Sequence, residues 1–264
     1  MPSAPATLSG RAAVITGGAS GIGRATAMLL AQQGVQVFIG DYRLLPENEW
    51  TLRDCGIHAS ECDVRQVDDL RRLIDNAAST AGRLDILVNN AGIGMVKQIT
   101  EVTEVDWDNC LDTNLKAAFF GAKFAIPHLV RAGGGCIVNI ASNAGLLPRA
   151  HDPVYSISKL ALVGLTKSLA LCHAPDRIRV NAVCPGPVGD TGMMNDDLDA
   201  AADRLAAEQQ IIAASPLAKA LGRMSRPDEI AAAVLYLVSD AACLVTGTAL
   251  AIDGGKSLGV PPKF

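Results

Sequence analysis

The segment TGGASGIG, residues 16–23, decides the fold predicted for this chain. It follows the apolar run AAVI and opens the stretch RATAMLLAQQG, whose apolar residues recur at helical spacing. A turn from a strand into a helix needs glycine where φ is positive, and the helix N-terminus offers free N–H groups to phosphates. The same letters also occur in ordinary glycine-rich turns, so the interpretation depends on the surrounding sequence. The residues expected to contact a dinucleotide here are Gly17, Ser20, Gly21, Ile22 and Gly23.

Apolar runs alternate with helix-like segments along the rest of the chain. The runs lie near residues 12–18, 35–41, 58–64, 84–92, 135–142, 177–186 and 248–255. The helix-like segments lie at 21–33, 65–81, 104–131, 154–173 and 227–238. Most runs are hydrophobic without strict alternation, as expected for strands buried on both faces of a parallel sheet. The pattern predicts one α/β domain over residues 1–264, a Rossmann-type doubly wound parallel sheet with helices on both faces.

Two segments differ from this alternation. Residues 1–9 are expected to form a short flexible lead-in. Residues 187–224 form a long excursion after a predicted strand and contain DDLDAAADRL. Parallel sheets carry substrate-covering segments at this edge, so we expect residues 187–224 to act as a substrate lid.

The composition argues against several classes of function. The chain has 264 residues, a net charge of −4 and no run of basic residues, so no nucleic-acid partner is expected. No apolar stretch reaches roughly 18–20 residues and the N-terminus lacks a signal-peptide pattern, so we expect no membrane partner and a cytoplasmic location. Seven cysteines form no CxxC pair and four histidines show no ligand spacing. Free thiols and no metal are therefore predicted.

An acid ends the second predicted strand, about 20 residues after the glycine turn. The carboxylate of Asp41 can accept hydrogen bonds from the ribose hydroxyls of adenosine, and it would repel a 2′-phosphate. A site for NADP needs a basic residue in the turn or directly after this strand, where Tyr42 stands instead. Arg24 and Arg43 lie near in sequence, but both are more typical of solvated surface arginines. The expected cofactor is therefore NAD.

Small and polar residues also end the third and fourth predicted strands. Asp63 is positioned to meet the adenine amino group and Val64 to line the adenine face, although an aspartate here is also typical of a plain surface. In the motif NNAG, Asn90 is expected to anchor the strand backbone. Ala91 and Gly92 leave room for the cofactor beside it.

Tyr155 and Lys159 of the motif YSISK lie four residues apart and share one helix face. Alcohol oxidation needs a base, and a free tyrosine with a pKa of about 10 is a poor one at neutral pH. A neighbouring ammonium and an oxidised nicotinamide stabilise the phenolate. Alone, the pair is more typical of an exposed helix, but Ser142 at the next strand end can hold a substrate oxygen. Asn114 lies in a predicted helix interior and needs a partner, either a backbone group or a water leading to Lys159.

Taken together, these motifs make the chain similar to a short-chain dehydrogenase/reductase, in the oxidoreductase branch of roughly 250 residues. The resemblance covers nearly the whole chain. It rests on TGGASGIG, Asp41, CDV, NNAG, Asn114, Ser142, YSISK, NAVCPGPV and the tail GRMSRPDEIAAAVLYLVSD…VTGTALAIDGG. It implies a seven-stranded sheet, mostly tetrameric assembly, and interconversion of a secondary alcohol and a ketone by hydride transfer.

The resemblance also implies roles for single residues. Tyr155 is the expected acid/base, and Lys159 binds the nicotinamide ribose and lowers the tyrosine pKa. Ser142 orients the substrate, and Asn114 holds a proton-relay water. Val188 would contact the nicotinamide carboxamide. Further cofactor contacts are expected from Tyr155, Pro185, Gly186 and Thr191. The family usually has this threonine four residues after the glycine, whereas here it comes five residues after it.

The substrate is defined less closely by the sequence. His151 can hydrogen-bond a substrate oxygen but is also typical of a solvated loop, and the methionines can line an apolar wall or only pack the lid. A mainly apolar pocket favours a cyclic, aromatic or steroid-like alcohol or ketone. The residues expected to face the substrate are Asn143, Pro148, His151, Met193 and Met194.

The predicted helix over residues 155–172 is apolar nearly all round, and Gly164 would allow a close neighbour. We therefore expect a homo-oligomer, a tetramer or a dimer. Two other functions stay open at this point. A non-catalytic NAD-binding regulator of the same fold has no need of the Tyr155–Lys159 pair. An epimerase or dehydratase of the extended relatives usually has a larger C-terminal substrate domain.

Overall fold

One parallel sheet organises the chain. The computed structural model describes residues 8–44, 52–147 and 149–259. Within these ranges seven strands form a single sheet in the order β3-β2-β1-β4-β5-β6-β7. The strands are β1 (Ala12–Thr16), β2 (Gln36–Asp41), β3 (His58–Glu61), β4 (Ile86–Asn89), β5 (Gly135–Ile140), β6 (Ile178–Pro185) and β7 (Ala249–Ile252). The predicted doubly wound parallel sheet is confirmed.

Helices cover both faces of this sheet. The α-helices with both ends in the described ranges are α1 (Gly21–Gln32), α2 (Val67–Ala81), α3 (Glu104–Leu111), α4 (Ala117–Arg131), α5 (Pro153–His173), α6 (Gly192–Asp199), α7 (Arg204–Ala213), α8 (Pro216–Leu221) and α9 (Pro227–Val238). Side chains of the central strand β1 alternate between the two faces, as a strand requires. Ala13 and Ile15 pack with residues of α1 and α9, whereas Val14 packs with residues of α2 and α4.

The burial of the strands explains why most of the apolar runs in the sequence show no strict alternation. All residues of β1 and β4 are buried, because helices cover them on both sides. The edge strands β3 and β7 are mostly half-buried or exposed. The strand order reverses between β1 and β4, since β2 and β3 lie on one side of β1 and the later strands on the other. A crevice at the carboxyl ends of β1 and β4 is the ligand-binding position of such sheets.

Three segments differ in detail from the predicted elements. The predicted helix over residues 104–131 is interrupted by a π-helical turn, Asp112–Lys116, between α3 and α4. The predicted lid, residues 187–224, contains three helices, α6 to α8. Most of the predicted lead-in lies outside the described residues, but Leu8 is buried and packs in the core with α1 and α9. The ordered core therefore includes the end of that segment.

Within the described residues, one helix has the length and hydropathy of a membrane span. This helix is α5, and 44% of its most apolar 18-residue window is buried inside the domain. It also presents Tyr155 and Lys159 to the interior, where both are buried. These are features of a core helix packed on a sheet. No group of three or more potential metal ligands of the His, Cys, Asp or Glu type occurs in the same described ranges.

Candidate active site

A cavity of about 700 Å³ opens at the carboxyl ends of the central strands. This volume lies within the range typical of small-molecule sites, roughly 300–1,000 Å³. The glycine turn forms one end and the start of α5 lies near the other. The sequence-predicted residues that line it are Gly17, Ser20, Gly21, Ile22, Asp41, Asp63, Val64, Asn90, Ala91, Gly92, Ser142, Asn143, Tyr155, Lys159, Pro185, Gly186, Val188, Thr191, Met193 and Met194.

The glycine turn is packed so closely that side chains cannot replace its glycines. Gly17 and Gly21 adopt positive φ angles of 64° and 51°. A Cβ atom on Gly17 would lie 2.9 Å from the Ala91 Cα atom. A Cβ atom on Gly23 would lie 2.0 Å from the Gly17 carbonyl oxygen. Gly23 does not line the cavity, and its missing side chain allows α1 to pack closely on the turn.

Asn90 holds the turn in place. Its Nδ2 atom donates hydrogen bonds to the carbonyl oxygens of Thr16 at 2.9 Å and Gly17 at 2.8 Å. The Thr16 hydroxyl in turn accepts the backbone N–H groups of Asn90 and Ala91, both at 3.1 Å. The ends of β1 and β4 are therefore tied together at the point where the strand order reverses. This agrees with the anchoring role expected for Asn90.

The N-terminus of α1 has the features of a phosphate site. The side chain of Ser20, the N-cap residue, makes no capping hydrogen bond, and the first turn of the helix contains no acid. The free N–H groups and the helix dipole therefore face the cavity without a competing negative charge. The glycine cradle and this helix end fit the pyrophosphate of a dinucleotide, and Ser20, Gly21 and Ile22 would hold it.

Asp41 joins the end of β2 to the glycine turn. One carboxylate oxygen accepts the backbone N–H of Ala19 at 2.9 Å, and the other accepts that of Arg43 at 3.3 Å. A carboxylate has about four acceptor sites, so positions remain for ribose hydroxyls. Neither Arg24 nor Arg43 is among the residues that line the cavity. The two arginines that argued against NAD in the sequence therefore do not line the cavity.

A third arginine, which the sequence reasoning missed, does line this end of the cavity. Arg65 lies over the ring of Tyr42, at 5.3 Å from its centroid, and pairs with Asp63 through a contact of 2.8 Å between Nη2 and Oδ2. Hydrogen bonds from Arg65 lower the pKa of Asp63, and the same pairing raises the pKa of Arg65. An adenine amino group would therefore share the Asp63 carboxylate with Arg65. The sequence signal was the arginine two residues after CDV's aspartate.

Tyr155 is buried at the start of α5, beside Ser142. Burial raises the pKa of Tyr155, and this effect outweighs the Ser142 hydrogen bond and the positive charge of Arg149, which act in the opposite direction. The direction is opposite to the lowered pKa that the resemblance implied. The Arg149 guanidinium lies 5.7 Å from the centre of the tyrosine ring.

The position of Lys159 explains part of the difference between the raised pKa of Tyr155 and the lowered pKa that the resemblance implied. Its Nζ atom donates to the Ile140 carbonyl oxygen at 3.0 Å and lies 5.8 Å from the centroid of the Tyr155 ring. Burial lowers the pKa of Lys159 to about 8. The lysine is therefore one turn from the tyrosine on the same helix face, as predicted, but it is directed to a backbone carbonyl. Its charge is lost just above neutral pH.

Asn114 lies in the π-helical turn rather than in a regular helix. Its Oδ1 atom accepts the Ile93 N–H at 2.8 Å, and its Nδ2 atom donates to the Ile93 carbonyl at 3.0 Å and to the Ser158 hydroxyl at 3.1 Å. Of the two partners that the sequence left open, the structure shows the backbone group. Asn114 does not line the cavity but supports its wall. Single π-helical turns are frequent at functional sites.

Gly92 brings the amide and the lysine together. A Cβ atom at this position would lie 3.2 Å from Asn114 Oδ1 and 3.3 Å from Lys159 Nζ. Both atoms therefore converge on the backbone of the NNAG segment. Its small residues leave room for these groups as well as for a ligand.

Thr191 comes one residue later after Gly186 than is usual in the resembled family, and it still lines the cavity. Asp190, just before it, adopts a left-handed conformation with φ of 54°. Thr191 donates to the Val188 carbonyl at 3.1 Å and caps α6 by accepting the Met194 N–H at 3.3 Å. Its methyl carbon lies 3.3 Å from the position of a Cβ atom on Gly21. Thr191 therefore lines the cavity next to the glycine turn.

The structure does not place two of the residues predicted to face the substrate, Pro148 and His151, at the cavity. His151 is exposed and does not line the cavity, and its Nδ1 atom is 2.7 Å from Gln98 Nε2. The geometry thus does not support the expected substrate contact of His151, because the loop before α5 turns its ring outward. Pro148 lies outside the described residues.

Comparisons with known proteins agree with this geometry. A family model described as enoyl-(acyl carrier protein) reductase matches residues 17–257. Cis-4-hydroxycyclohexanecarboxylate dehydrogenase of Sinomonas cyclohexanicum is 40% identical, over 93% of this chain and 96% of its own length. Cyclohexanol dehydrogenase of Acinetobacter sp. (strain SE19) is 36% identical, over 92% and 94%. The ligand-free aldohexose dehydrogenase of Thermoplasma acidophilum superposes with a TM-score of 0.87 at 32% identity, covering 99% of both chains.

A parallel sheet with a glycine turn, and a serine, tyrosine and lysine set at its carboxyl edge, define a class of nicotinamide-dinucleotide oxidoreductases. The chain belongs to the short-chain dehydrogenase/reductase family. Its dehydrogenase relatives show that it is an enzyme, an alcohol dehydrogenase or ketone reductase. The family and the enzyme class expected from the sequence are confirmed.

Proposed function

We propose that this enzyme is an NAD-dependent dehydrogenase that interconverts a cyclic secondary alcohol and its ketone, with Tyr155 as acid/base. The observation that carries the proposal is the convergence of Ser142, Tyr155 and Lys159 on the cavity that the glycine turn also lines. Relatives of this chain are named for cyclohexanol and for a hydroxycyclohexanecarboxylate, which supports a ring alcohol. Free cysteines agree with a cytoplasmic enzyme.

The chain's own groups account for the proton chemistry. When bound, the nicotinamide supplies the acceptor or donor of hydride. The Ser142 hydroxyl holds the substrate oxygen next to the tyrosine, and the Tyr155 oxygen takes the proton of the alcohol or returns it to the ketone. Lys159 supplies a positive charge within the same wall, and it does so below a pH of about 8. Asn114 fixes the Ile93 backbone that borders the cavity.

The test of this proposal is turnover. Purified enzyme is mixed with NAD and a panel of cyclic secondary alcohols, or with NADH and the matching ketones, and absorbance of NADH is followed. Oxidation of ring alcohols with NAD is the expected result. Tight NADH binding without turnover of any panel member would favour the regulator instead.

Asp41 supports NAD over NADP. Its carboxylate lies at the end of β2 beside the glycine turn, where it would meet the adenosine ribose. Arg65 is the cation at this end of the lining, and its charge is paired with Asp63. A 2′-phosphate would therefore be repelled by the Asp41 carboxylate, while the positive charge of Arg65 is already paired with Asp63. The site favours a ribose with free hydroxyls.

Replacing Asp41 by asparagine tests the cofactor preference. Asparagine keeps an acceptor for the Ala19 N–H but removes the charge, and hydrogen bonds to charged groups contribute about 1.5–3 kcal/mol. We expect kcat/KM with NAD to fall about 10- to 100-fold and the NAD/NADP preference to approach unity. Steady-state kinetics with both cofactors measure this ratio. Asp68→Asn, an exposed acid on α2 outside the cavity, is the matched control, and an unchanged ratio in the Asp41 variant would remove Asp41 as the selector.

The outer face of α5 supports self-association. Ile157, Leu160 and Leu171 are 46%, 60% and 81% exposed on this helix. A Cβ atom on Gly164 would have no neighbour within 4 Å among the described residues, which leaves room for a close partner there. Exposed apolar side chains grouped on one face are typical of protein–protein interfaces. We therefore place a homodimer or homotetramer interface on α5.

Replacing Leu160 by glutamate is expected to dissociate the oligomer, because it puts a charge into the centre of this apolar face. Light scattering at micromolar concentration would show the wild type as a dimer or tetramer and the variant as a monomer. Leu205→Glu, at a comparably exposed leucine on α7, should leave the assembly intact. A monomeric wild type would rule out the interface.

A further inference from the structure

We propose that the substrate of this enzyme carries an anionic group, such as a carboxylate or a sulfonate, and that Arg149 and Lys256 bind it beside Tyr155. The inference rests on the proposed function and narrows its substrate class from ring alcohols to ring alcohols with a negative charge. The two cations come from distant parts of the chain, and both line the catalytic cavity.

Arg149 lies directly against the catalytic tyrosine. Its guanidinium is 5.7 Å from the centre of the Tyr155 ring, and its side chain is 43% exposed. Its ion pair runs from Nε to Asp152 at 3.0 Å. Within the described part of the chain, no hydrogen bond is formed by its terminal Nη1 and Nη2 atoms. These two donors form a planar fork of the kind that binds carboxylates.

Lys256 reaches the same cavity from the turn after β7. Asp253 fixes this turn, because its carboxylate accepts the N–H groups of Gly255 at 2.9 Å and Ser257 at 2.8 Å. Lys256 is half-buried, and none of the residues described in this structure forms a hydrogen bond or ion pair with its ammonium. Burial lowers the pKa of Lys256, and the nearby charge of Arg149 lowers it further. An anion between the two cations would relieve both effects.

Two acids also face this part of the cavity. Asp152 is buried, pairs with Arg149 and accepts the Ser156 hydroxyl at 3.0 Å, so its charge is used within the protein. Asp197, on α6 of the lid, also lines the cavity. Partial burial raises the pKa of both carboxyl groups. Asp197 is therefore the competitor of a substrate anion, and its removal should strengthen anion binding.

The position of the cluster limits the size of the substrate. Arg149 contacts the tyrosine that handles the reacting hydroxyl, so the anionic group and the hydroxyl belong to one small molecule. Met193 and Met194 border the same space and provide an apolar wall for the carbon skeleton. A single ring with a hydroxyl on one side and an acid on the other satisfies all three contacts.

The experiment compares three ring alcohols of similar size whose second group is negative, neutral or positive: 4-hydroxycyclohexanecarboxylate, its carboxamide, and 4-(aminomethyl)cyclohexanol. We expect wild-type kcat/KM to favour the carboxylate over the carboxamide by at least about 10-fold, the scale of one charged hydrogen bond. Lys256→Met should reduce this ratio about 10- to 100-fold, and Asp197→Asn should raise it. Lys219→Met removes an exposed lysine outside the cavity and should leave the ratio unchanged.

The ratio of kcat/KM for the carboxylate to that for the carboxamide separates anion binding from catalysis. A change that slows all substrates equally, such as the loss of a charge near Tyr155 in Arg149→Gln, does not alter this ratio. An equal preference for carboxylate and carboxamide, or an unchanged ratio in the Lys256 variant, would overturn the inference. A preference for 4-(aminomethyl)cyclohexanol would mean that Asp197 binds a cationic substrate, and this result would also overturn the inference.

A second readout does not depend on turnover. Calorimetry with cyclohexanecarboxylate, which has no hydroxyl to oxidise, measures binding to the enzyme in the presence of NADH. Binding that weakens about 10- to 100-fold in Lys256→Met supports the anion site, and binding equal to that of cyclohexanecarboxamide contradicts it. If no alcohol is oxidised, the proposed function fails, and calorimetry still decides the anion site by itself.

Discussion

Replacing Tyr155 by phenylalanine is expected to lower kcat for alcohol oxidation by about 10³-fold, within the range of 10²–10⁴ typical of a lost acid/base group. Phenylalanine keeps the ring that packs at the start of α5 and removes only the hydroxyl that Ser142 contacts. Among the described residues, Tyr155 is the cavity-lining titratable group with a hydrogen bond to Ser142, so its loss removes the proposed base. Stopped-flow or steady-state absorbance of NADH measures the loss.

Two controls show whether the loss of activity comes from the missing hydroxyl rather than from lost cofactor binding or a general effect of the substitution. NADH fluorescence should show an affinity within about two-fold of the wild type, since a lost hydroxyl at a site outside the dinucleotide cradle changes little. Tyr236→Phe on α9, a partly exposed tyrosine, should keep full activity. An active Tyr155→Phe enzyme would show that another group is the base, and the mechanism proposed for this site would be wrong.

Replacing Lys159 by methionine is expected to give an enzyme that is more stable but nearly inactive. The lowering of the lysine pKa from 10.5 to about 8 corresponds to roughly 3 kcal/mol against the charged folded state at neutral pH. Methionine has a similar volume and no charge, but it leaves the Ile140 carbonyl without its donor, which costs about 1 kcal/mol. The net expectation is a free energy of unfolding higher by about 2 kcal/mol at pH 7, with kcat reduced about 10²-fold.

The pH dependence of this stability difference is a sharper test than its size. Below pH 8 the lysine is charged in both states of the wild type, so the full penalty applies. Between pH 8 and 10.5 the folded protein releases the proton while the unfolded chain still holds it, so wild-type stability rises with pH. The advantage of Lys159→Met should therefore shrink across this window, and above it the variant should be less stable by about 1 kcal/mol, the cost of the Ile140 carbonyl left without its donor. Chemical denaturation at pH 7 and pH 9.5 measures the change.

Lys167→Met is the matched control, since Lys167 is exposed on the same helix. Its effect on stability should stay within about 0.5 kcal/mol at either pH. A Lys159 variant less stable than the wild type at pH 7 would mean that the ammonium is held by interactions stronger than the cost of its burial. The explanation offered for its lowered pKa would then fail.

The sheet was predictable because its central strands are buried on both faces. The ILVN segment of β4 has no polar side to alternate with, and such a run is typical of a parallel strand covered by helices. The glycine turn was predictable for a similar reason, because few other structures need so many small residues in a row. Asn114 could be singled out as a polar residue in need of a partner.

Other features depend on contacts that no local pattern contains. In the π-helical turn, the amide of Asn114 bonds to the backbone of Ile93, 21 residues earlier in the chain. Lys256 reaches the cavity only because β7 lies beside β6 at the edge of the sheet. The raised pKa of Tyr155 is a property of its burial rather than of the spacing in YSISK. Each of these needs the folded chain.

The crowding at Gly92 has an evolutionary consequence. The residue contributes no functional group, and its backbone has an ordinary negative or extended φ that any amino acid adopts. Yet a single methyl group there would press on the amide of Asn114 and the ammonium of Lys159 at once. An alanine at this position would require both polar groups to shift by a few tenths of an ångström. Selection on the chemistry therefore acts on a residue that has no chemistry of its own.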